Sequence, residues 1–388
     1  MPHEVFIESG GLGPAALSWP KKIWHFNWGV IALLGTIASI GFLTLYSAAG
    51  GSLEPWAVRQ MVRFGIGLGI LVVVGAIDIR IWYRLAYVFY AVALMMLVAV
   101  EVMGTGAMGA ERWLSLGFMQ VQPSEVMKVA LVLALARYFH GQMPDQVTRP
   151  LHLAVPLVLV LVPAALLMRQ PDLGTAMMLV MATAAMMFIA GVRLWFFGAA
   201  IGLGAAAAPV AWEFMRDYQR NRILTFLNPE SDPLGKGYHI LQSKIALGSG
   251  GIFGKGFMEG SQSYLNYLPE KQTDFIFTMF AEEFGMVGGV FLVTLYLLLL
   301  VAGLSISLKS RSHFGRLLGY GLTSLFFLYV FINIAMVMGL VPVVGVPLPL
   351  LSYGGTAMLT LMFSFGLLMS VSVHRDVRIG RAGMLDVV

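Results

Sequence analysis

The sequence contains no cysteine, and only 12% of its residues are charged. The missing cysteine excludes disulfide bonds, thiol catalysis and Cys-ligated metal sites. Because a soluble domain carries roughly 25% charged residues, the low charge excludes an ordinary water-exposed surface. Apolar residues are abundant instead: 58% are hydrophobic, and the mean hydropathy is +0.81. The net charge is +5, but Lys and Arg are scattered between apolar runs, which indicates membrane topology rather than nucleic-acid binding.

Apolar runs long enough to cross a membrane recur along the chain. A bilayer core of about 30 Å needs roughly 20 apolar residues in a helix. This length predicts an all-α polytopic integral membrane protein with about ten transmembrane helices. The predicted spans lie near residues 27–48, 58–77, 85–103, 123–140, 151–168, 174–191, 194–211, 276–302, 316–340 and 355–373.

The distribution of Lys and Arg orients these spans, because short cytoplasmic loops carry the excess of basic residues. One set of short segments holds most of them, and the short loops of the opposite side hold only Arg59, Arg63, Arg112 and Arg169. We therefore expect both termini in the cytoplasm. The chain is then one membrane domain, residues 1–388, with a cytoplasmic segment 1–26, a large outer loop 212–275 and a cytoplasmic tail 374–388.

The outer loop 212–275 contains amphipathic stretches that predict helices along the membrane surface. Its basic residues include Arg220 and Lys244, on the face where the positive-inside bias does not place them, so an anionic ligand is plausible. The glycine-rich run 248–256 fits either a backbone nest for phosphate or tight turns between surface helices.

Two ionisable residues lie inside the fourth span, where each costs about 2.5–3.5 kcal/mol on insertion scales. Gln122 and a proline precede Glu125 and Lys128, which are spaced i, i+3 and so share one helix face. One interpretation is a self-neutralising ion pair that joins helices. The functional interpretation is the charged wall of an outward-facing polar cavity.

Asp274 ends the outer loop at the start of the eighth span. We expect Thr273 to cap that helix and Asp274 to lie in its first turn, where the helix dipole favours the ionised form. Its place beside a long polar loop makes Asp274 a candidate general base or metal ligand. Glu282 and Glu283, two turns deeper, are expected to face protein rather than lipid.

Two more outer segments carry polar residues that we expect to line the same cavity. Arg112 next to Trp113 could hold an anionic headgroup, although an interfacial anchor is the commonest role of such a Trp. The proline-rich stretch 341–355, which contains Ser352, cannot be helical and predicts a partly buried outer loop. A lipid-linked anionic ligand fits this arrangement.

Five motifs together resemble the SEDS (shape, elongation, division, sporulation) family of bacterial cell-wall proteins. They are GAERWLSLG (109–117), QPSEVMKVAL (122–131), RQPDLGTA (169–176), LPEKQTDFIFTMFAEEFG (268–285) and NIAMVMGLVPVVGVPLPLLSYGGTA (333–357). The resemblance runs from the first span to the last. The forms LPEKQTDF, GVPLPLLSYGG and QPDLGTA favour the elongation branch of the family over the division branch.

The resemblance implies a peptidoglycan glycosyltransferase of the bacterial inner membrane that polymerises lipid II on the outer face and releases undecaprenyl pyrophosphate. It implies that Asp274 is the catalytic aspartate, that Glu125 and Lys128 match the intramembrane pair of the family, and that Arg112 and Trp113 match its outer-loop motif. It also implies a class B penicillin-binding protein as transpeptidase partner, alongside other membrane proteins of the elongation complex. A divalent cation, Mg or Mn, could act with Asp274, and no organic cofactor is implied. The residues that we expect to bind substrate are Glu125, Lys128, Arg112, Trp113, Gln122, Arg220, Lys244 and Ser352.

The competing hypothesis is a transporter or flippase that moves a lipid-linked precursor across the membrane. Glu125 and Lys128 would then belong to a pathway rather than to a catalytic site. Against this, the ionisable residues crowd the outer half of the predicted bundle, and few polar positions continue into the cytoplasmic half. A scaffold that only organises other proteins would not explain two buried charges.

Overall fold

The structure, a computed structural model, describes residues 19–107, 110–115, 117, 120–215, 217–229, 236–260 and 270–380. Its helices are α1 (Trp19–Trp24), α2 (Trp28–Ala48), α3 (Ala57–Ala76), α4 (Ile79–Met103), α5 (Pro123–His140), α6 (Pro144–Val147), α7 (Pro150–Arg169), α8 (Leu173–Ile189), α9 (Leu194–Phe214), α10 (Asp217–Leu227), α11 (Lys236–Ser249), α12 (Ile276–Lys309), α13 (His313–Val337) and α14 (Gly355–Val373). Its strands are β1 (Thr105–Ala107), β2 (Ala110–Ser115) and β3 (Gln120–Val121).

Every predicted span corresponds to a helix, which confirms the all-helical polytopic fold. Seven helices, α2, α3, α4, α7, α12, α13 and α14, are long and apolar enough to cross a membrane by length and composition, while α8 and α9 are shorter apolar helices. The remaining span is α5, which lies at the centre of the bundle against α4, α7, α8, α13 and α14. Because α5 is surrounded by protein, nearly all of its side chains are buried.

The third and ninth spans begin earlier than hydropathy predicts. α4 begins at Ile79 because Asp78 caps it, accepting a hydrogen bond from Arg80 N at 2.9 Å. α13 begins at His313, after Ser312 accepts a hydrogen bond from Gly315 N at 3.4 Å. Capping side chains decide where a helix starts, whereas a hydropathy window registers only where the apolar residues begin.

The segments that were predicted to be cytoplasmic meet at one end of the bundle. Lys22 Nζ donates to Ala76 O at 3.1 Å, and Ser370 Oγ donates to Ile77 O at 2.8 Å. Arg137 Nη1 donates to Arg84 O at 2.8 Å, which joins the ends of α5 and α4. The first two contacts satisfy carbonyls at the C-terminal end of α3 that would otherwise lack partners.

A small sheet between α4 and α5 is absent from the sequence-based expectation. It is three-stranded and antiparallel, in the order β1-β2-β3. Thr105 pairs with Trp113, and Leu114 pairs with Val121. The strands are too short for a clear alternation of apolar and polar residues, which is why the pattern did not predict them. Gly109 and Leu116 of the GAERWLSLG motif lie outside the described residues.

The eighth span is not the continuous helix that hydropathy predicts. Gly285, with φ of 64°, interrupts α12 in the left-handed region, so the helix consists of a short outer part and a long inner part. The freed backbone groups bond to the glycine-rich run: Lys255 N donates to Glu282 O at 3.1 Å, and Met286 N donates to Gly251 O at 3.0 Å. Such a break at membrane depth survives only where protein re-satisfies the backbone.

The glycine-rich run therefore does not form the phosphate nest that was considered for it. The N–H groups of Gly254, Lys255 and Gly256 donate to carbonyls of the protein, at Gly250 and at the break in α12. Small residues are needed here because the run and α12 approach backbone to backbone: a Cβ on Gly250 would lie 2.4 Å from Ala281 O.

Replacing Gly285 by alanine is expected to destabilise the protein. A Cβ there would lie 2.3 Å from Gly254 N and 2.6 Å from Ile252 O, and the left-handed φ adds strain. Strained backbone costs on the order of 1–3 kcal/mol per residue, so the unfolding temperature in detergent should fall. Gly35→Ala in α2 is the matched control, because nothing lies within 4 Å of its Cβ position. Equal unfolding temperatures for both variants would show that the break is not required.

Candidate functional site

Asp274 lies in a turn before α12 rather than inside the helix. Glu270 O accepts the N–H of Thr273 at 3.0 Å, and α12 begins at Ile276 with Phe275 as its N-cap residue. The prediction that Thr273 caps this helix is wrong: its hydroxyl donates to Glu270 Oε2 at 2.9 Å instead. Asp274 is consequently outside the first helical turn.

The carboxylate of Asp274 is half-buried against the proline-rich segment, residues 341–354. A Cβ on Gly345, whose φ is +72°, would lie 3.4 Å from Asp274 Oδ2. Burial raises the pKa of Asp274 to about 6, the Glu270 carboxylate adds to the rise, and the Arg222 guanidinium opposes it. The expectation of a weakly basic carboxylate therefore fails, because desolvation outweighs the dipole of a helix that begins two residues later.

The proline-rich segment is partly buried, as predicted. Side chains bond it to the turn of residues 270–275 before α12, which we call the Asp274 turn. Ser352 Oγ donates to Thr273 O at 2.6 Å and accepts from Leu348 N at 2.7 Å. Asn333 Nδ2 donates to Asp274 O at 3.0 Å and to Val346 O at 2.7 Å. These bonds fix the backbone on both sides of the carboxylate.

Glu125 and Lys128 form the ion pair that their spacing predicts. Lys128 Nζ lies 2.7 Å from Glu125 Oε1, and both residues are buried, with 3% and 2% of their surface exposed. Tyr329 of α13 donates its hydroxyl to Glu125 Oε2, and Lys128 Nζ stands 4.3 Å from the centre of the Tyr329 ring. Each charge thus has partners in protein, which is the arrangement that makes a buried pair tolerable.

α13 links this ion pair to the Asp274 turn. Tyr329 and Asn333 are spaced i, i+4, so their side chains lie on one face of the helix. Tyr329 contacts the pair on α5, and Asn333 contacts the backbone of Asp274. The sequence places these polar groups in separate motifs, and the structure joins them through one helix face.

Arg112, on β2, reaches the start of α8. Its Nε donates to Gln170 O at 3.3 Å, and its Nη2 donates to Pro171 O. The first turn of α8 in turn touches the proline-rich segment, because a Cβ on Gly174 would lie 2.5 Å from Val344 O. Val344 precedes Gly345, which faces Asp274. Arg112 is therefore connected to the Asp274 turn through the start of α8 and the proline-rich segment. Trp113 follows Arg112 on the same strand.

Three more residues that were predicted to bind substrate lie in different parts of the fold: Gln122, Lys244 and Arg220. The backbone N–H of Gln122 donates to Thr356 Oγ1 at 3.2 Å, which joins α5 to α14. Lys244 packs against the end of α13, where a Cβ on Gly339 would lie 2.8 Å from its Nζ. Arg220 donates to Trp212 O and Glu213 O, at 2.9 Å and 2.7 Å, within its own segment.

Sequence reasoning missed three residues that shape the site. Arg222, and not Arg220, is the arginine whose charge acts on Asp274. Asn333 begins the motif 333–357 but was given no role, and Tyr329 was passed over as part of an apolar span. A polar amide in such a span is costly unless it is bonded, and this cost could have marked Asn333 as a structural partner.

A narrow, largely apolar cavity of about 40 Å³ lies between α12, α13 and α14. Residues 347–350 and Ser352 of the proline-rich segment line one side of it, together with Tyr329. The cavity therefore borders the proline-rich segment, which packs against Asp274, and Tyr329, which binds Glu125. Its remaining lining consists mainly of leucine, phenylalanine and methionine side chains of the three helices.

Comparison with known proteins gives consistent matches over nearly the whole chain. The model of the family described as cell cycle protein, which covers FtsW, RodA and SpoVE, matches residues 24–377. Peptidoglycan glycosyltransferase MrdB of Escherichia coli strain K12 is 42% identical over 358 residues, covering 92% of this chain and 95% of the relative. A probable peptidoglycan glycosyltransferase FtsW of Trichlorobacter lovleyi is 35% identical over 365 residues, covering 91% and 94%.

Solved structures share the fold. A chain from a peptidoglycan synthase complex that coordinates polymerization and crosslinking superposes with a TM-score of 0.77 at 33% identity, covering 90% of this chain and 98% of that one. The rod shape determining protein RodA of Thermus thermophilus superposes with a TM-score of 0.68 at 29% identity, covering 90% and 97%. The higher identity to MrdB than to FtsW agrees with the elongation-branch motifs. The chain therefore belongs to the FtsW, RodA and SpoVE family of cell cycle proteins, the SEDS family that its motifs resemble.

Proposed function

We propose that this protein, a peptidoglycan glycosyltransferase, polymerises lipid II into glycan strands on the outer face of the bacterial inner membrane, with Asp274 as its catalytic group. One observation carries the proposal: Asp274 presents a half-buried carboxylate whose pKa is raised to about 6, at the junction of the outer turn and the proline-rich segment. A carboxylate of this kind takes up a proton far more readily than an exposed aspartate does.

The reaction joins two sugars and releases undecaprenyl pyrophosphate. The acceptor's hydroxyl oxygen forms the new bond to the anomeric carbon of the donor as the bond from that carbon to the pyrophosphate breaks. The hydroxyl proton passes to Asp274, and the electron pair leaves with the pyrophosphate. Because pyrophosphate is already a good leaving group, no second carboxylate is needed as an acid.

Positive charge near Asp274 would stabilise the leaving pyrophosphate. The Arg222 guanidinium lowers the pKa of Asp274, and this electrostatic effect makes Arg222 our candidate for the role. Binding of the anionic headgroup by Arg112 and Lys244 stays a prediction. The same holds for the other residues that were predicted to bind substrate: Arg220, Trp113, Gln122 and Ser352.

Glu125 and Lys128 act in this proposal through α13. Their charges are neutralised by each other and by Tyr329, so their direct contribution is to hold Tyr329, and with it the face that carries Asn333. Direct contact of the pair with substrate stays a prediction, because it requires α5 and α13 to separate from the packing described here.

A divalent cation is compatible with the site only if the substrate supplies ligands. No group of three or more His, Asp or Glu side chains that could hold a metal is found in the described parts of the chain. Magnesium usually keeps several waters and binds one or two carboxylates plus substrate phosphates. Asp274 would hold such an ion, which would neutralise charge on the diphosphate.

The partner in this proposal is a class B penicillin-binding protein that supplies the transpeptidase. Its membrane helix needs a lipid-facing surface, and the eighth and ninth spans, α12 and α13, are the expected place. Phe327 and Phe331 of α13 form a stacked, exposed pair with ring centres 5.6 Å apart. Large exposed aromatics of this kind are typical anchors of interfaces.

Asp274→Ala is expected to abolish polymerisation of labelled lipid II by the purified protein with a transpeptidase-inactive partner. Loss of a general base costs on the order of 10²–10⁴-fold in rate. Glu270→Gln is the matched control, because Glu270 is an exposed carboxylate in the same turn. Glycan formation that survives Asp274→Ala would refute the catalytic role. Translocation of lipid II in sealed vesicles without any glycan would favour the flippase instead.

The polymerisation rate should fall below pH 6 as Asp274 becomes protonated. A carboxylate whose pKa is about 6 is ionised above that pH and neutral below it, so the active form is lost on acidification. We call this fall in rate at low pH the acid limb of the profile. Glu270→Gln should move the acid limb to lower pH, because Glu270 raises the pKa of Asp274. Arg222→Gln should move it to higher pH, because Arg222 lowers that pKa. The check is the pH profile of kcat/KM for all three proteins.

Magnesium concentration separates the two roles of Asp274 in the same experiment. If Asp274 holds a cation, added magnesium competes with protons and shifts the acid limb to lower pH, and chelation stops the reaction. If Asp274 is a metal-independent base, neither treatment moves the limb. If neither Glu270→Gln nor Arg222→Gln shifts the acid limb, the fall in rate does not report the protonation of Asp274.

The double variant Phe327→Ala/Phe331→Ala should lower co-purification of the penicillin-binding partner by about tenfold, because it removes two aromatic anchors. Leu157→Ala/Leu161→Ala on α7 is the control, since these leucines are also exposed and also spaced i, i+4. Equal recovery of the partner with both variants would place the interface elsewhere.

A further inference from the structure

A second cavity, of about 380 Å³, borders the Asp274 turn at Lys271, and no residue of the proline-rich segment is among its described lining residues. We name it the Trp56 cavity. Its walls are the end of α2 with residues 47–50, the loop residues Pro55 and Trp56, and Met258 and Gly260 after the glycine-rich run. Lys271 of the Asp274 turn and Glu283 of α12 complete it. None of the residues predicted to bind substrate lines this cavity.

Glu283 supplies a buried polar group to this cavity. It is 2% exposed, and its Oε1 accepts a hydrogen bond from the Ser47 hydroxyl. The backbone of Met258 also lies close to the carboxylate. Its other oxygen, Oε2, has no hydrogen-bond partner within the described parts of the chain. A buried carboxylate oxygen without a partner is costly, and a ligand that donates a hydrogen bond would remove that cost.

The chemistry of the lining selects the class of ligand. A prenyl chain would leave Glu283 and Lys271 facing hydrocarbon, which is unfavourable. A diphosphate would be repelled by Glu283, and among the described lining residues it would meet one cation, Lys271. A bare metal ion would fill a small part of the volume. Trp56 and Pro55 offer apolar faces beside the two polar groups, and this combination matches a neutral sugar, which has hydroxyl donors at its edge and an apolar ring face.

The position of the cavity fits a glycan polymerase. Lys271 and Asp274 belong to one turn and are three residues apart, so the cavity and the catalytic carboxylate share a wall. A polymerase must hold two saccharide-bearing molecules at once, and the cations proposed above for the anionic group, Arg222, Arg112 and Lys244, do not line this cavity. We propose that the Trp56 cavity binds a neutral saccharide unit of the second substrate, through hydrogen bonds to Glu283 and stacking on Trp56. This inference rests on the proposed function.

The test is saturation-transfer NMR on the full-length protein in nanodiscs, with chitotetraose as the probe. This soluble β-1,4-linked N-acetylglucosamine tetramer has no lipid and no phosphate, so it does not depend on the donor's anionic groups. Wild type is expected to transfer saturation to the probe. Glu283→Gln, which keeps the size and the Ser47 bond, and Trp56→Leu should each weaken binding by about tenfold, the usual loss for one charged hydrogen bond or one aromatic contact.

Glu282→Gln is the matched control. It is the neighbouring buried carboxylate, paired with Lys255 Nζ at 2.7 Å, and it does not line the cavity. It should bind chitotetraose as wild type does, and unfolding temperatures of all variants show that they are folded. Absence of saturation transfer to wild type, or equal weakening in Glu282→Gln and Glu283→Gln, would overturn the proposal.

Asp274→Asn separates this inference from the proposed function. It should bind chitotetraose normally while polymerisation is lost, because Asp274 does not line the Trp56 cavity. In the polymerisation assay, Glu283→Gln should raise KM by about tenfold and change kcat little, as expected for loss of a binding contact. A fall in kcat with unchanged KM would contradict a saccharide-binding role even if the protein proves to be a polymerase.

Discussion

The side-chain amide of Asn333 holds the two irregular segments of the site together. It donates to Asp274 O and to Val346 O, so one buried group on α13 fixes both the turn before α12 and the proline-rich segment. Inside a membrane, backbone groups without water must find partners in protein. The hydrogen bonds from Asn333 meet part of this requirement for two segments that are not helical. The position of the Asp274 carboxylate against Gly345 follows from these bonds.

The same requirement governs the break in α12. At Gly285 the helix gives up backbone hydrogen bonds, and the glycine-rich run after α11 supplies them again from outside. Because of this break, the outer part of α12 continues from the Asp274 turn, while the inner part packs in the bundle. The break also leaves Glu283 between α2 and the glycine-rich run, where its carboxylate borders the Trp56 cavity. The Asp274 turn and the wall of the Trp56 cavity thus both depend on the break at Gly285.

Electrostatics divides the acidic groups between two kinds of role. Glu125 is matched by Lys128 and by the Tyr329 hydroxyl, so its charge is compensated and it joins α5 to α13. Asp274 is shielded from water and is only partly compensated by Arg222, so burial raises its pKa to about 6. A compensated carboxylate stabilises a fold, and an incompletely compensated one near a polar surface is suited to proton transfer.

The sequence by itself determined the membrane class, the order of the apolar helices, the i, i+3 pair on α5 and the motifs that place the chain in its family. These features depend on local composition and on residues close in the chain, which hydropathy and helical spacing report directly. Only the tertiary structure decided that Gly285 breaks α12, that Thr273 does not cap it, and that Arg222 rather than Arg220 acts on Asp274. Each of these depends on contacts between segments far apart in sequence, and on burial, which no local pattern contains. The raised pKa of Asp274 is the clearest case, because the sequence shows an aspartate near a helix start, whereas desolvation by distant residues sets its basicity.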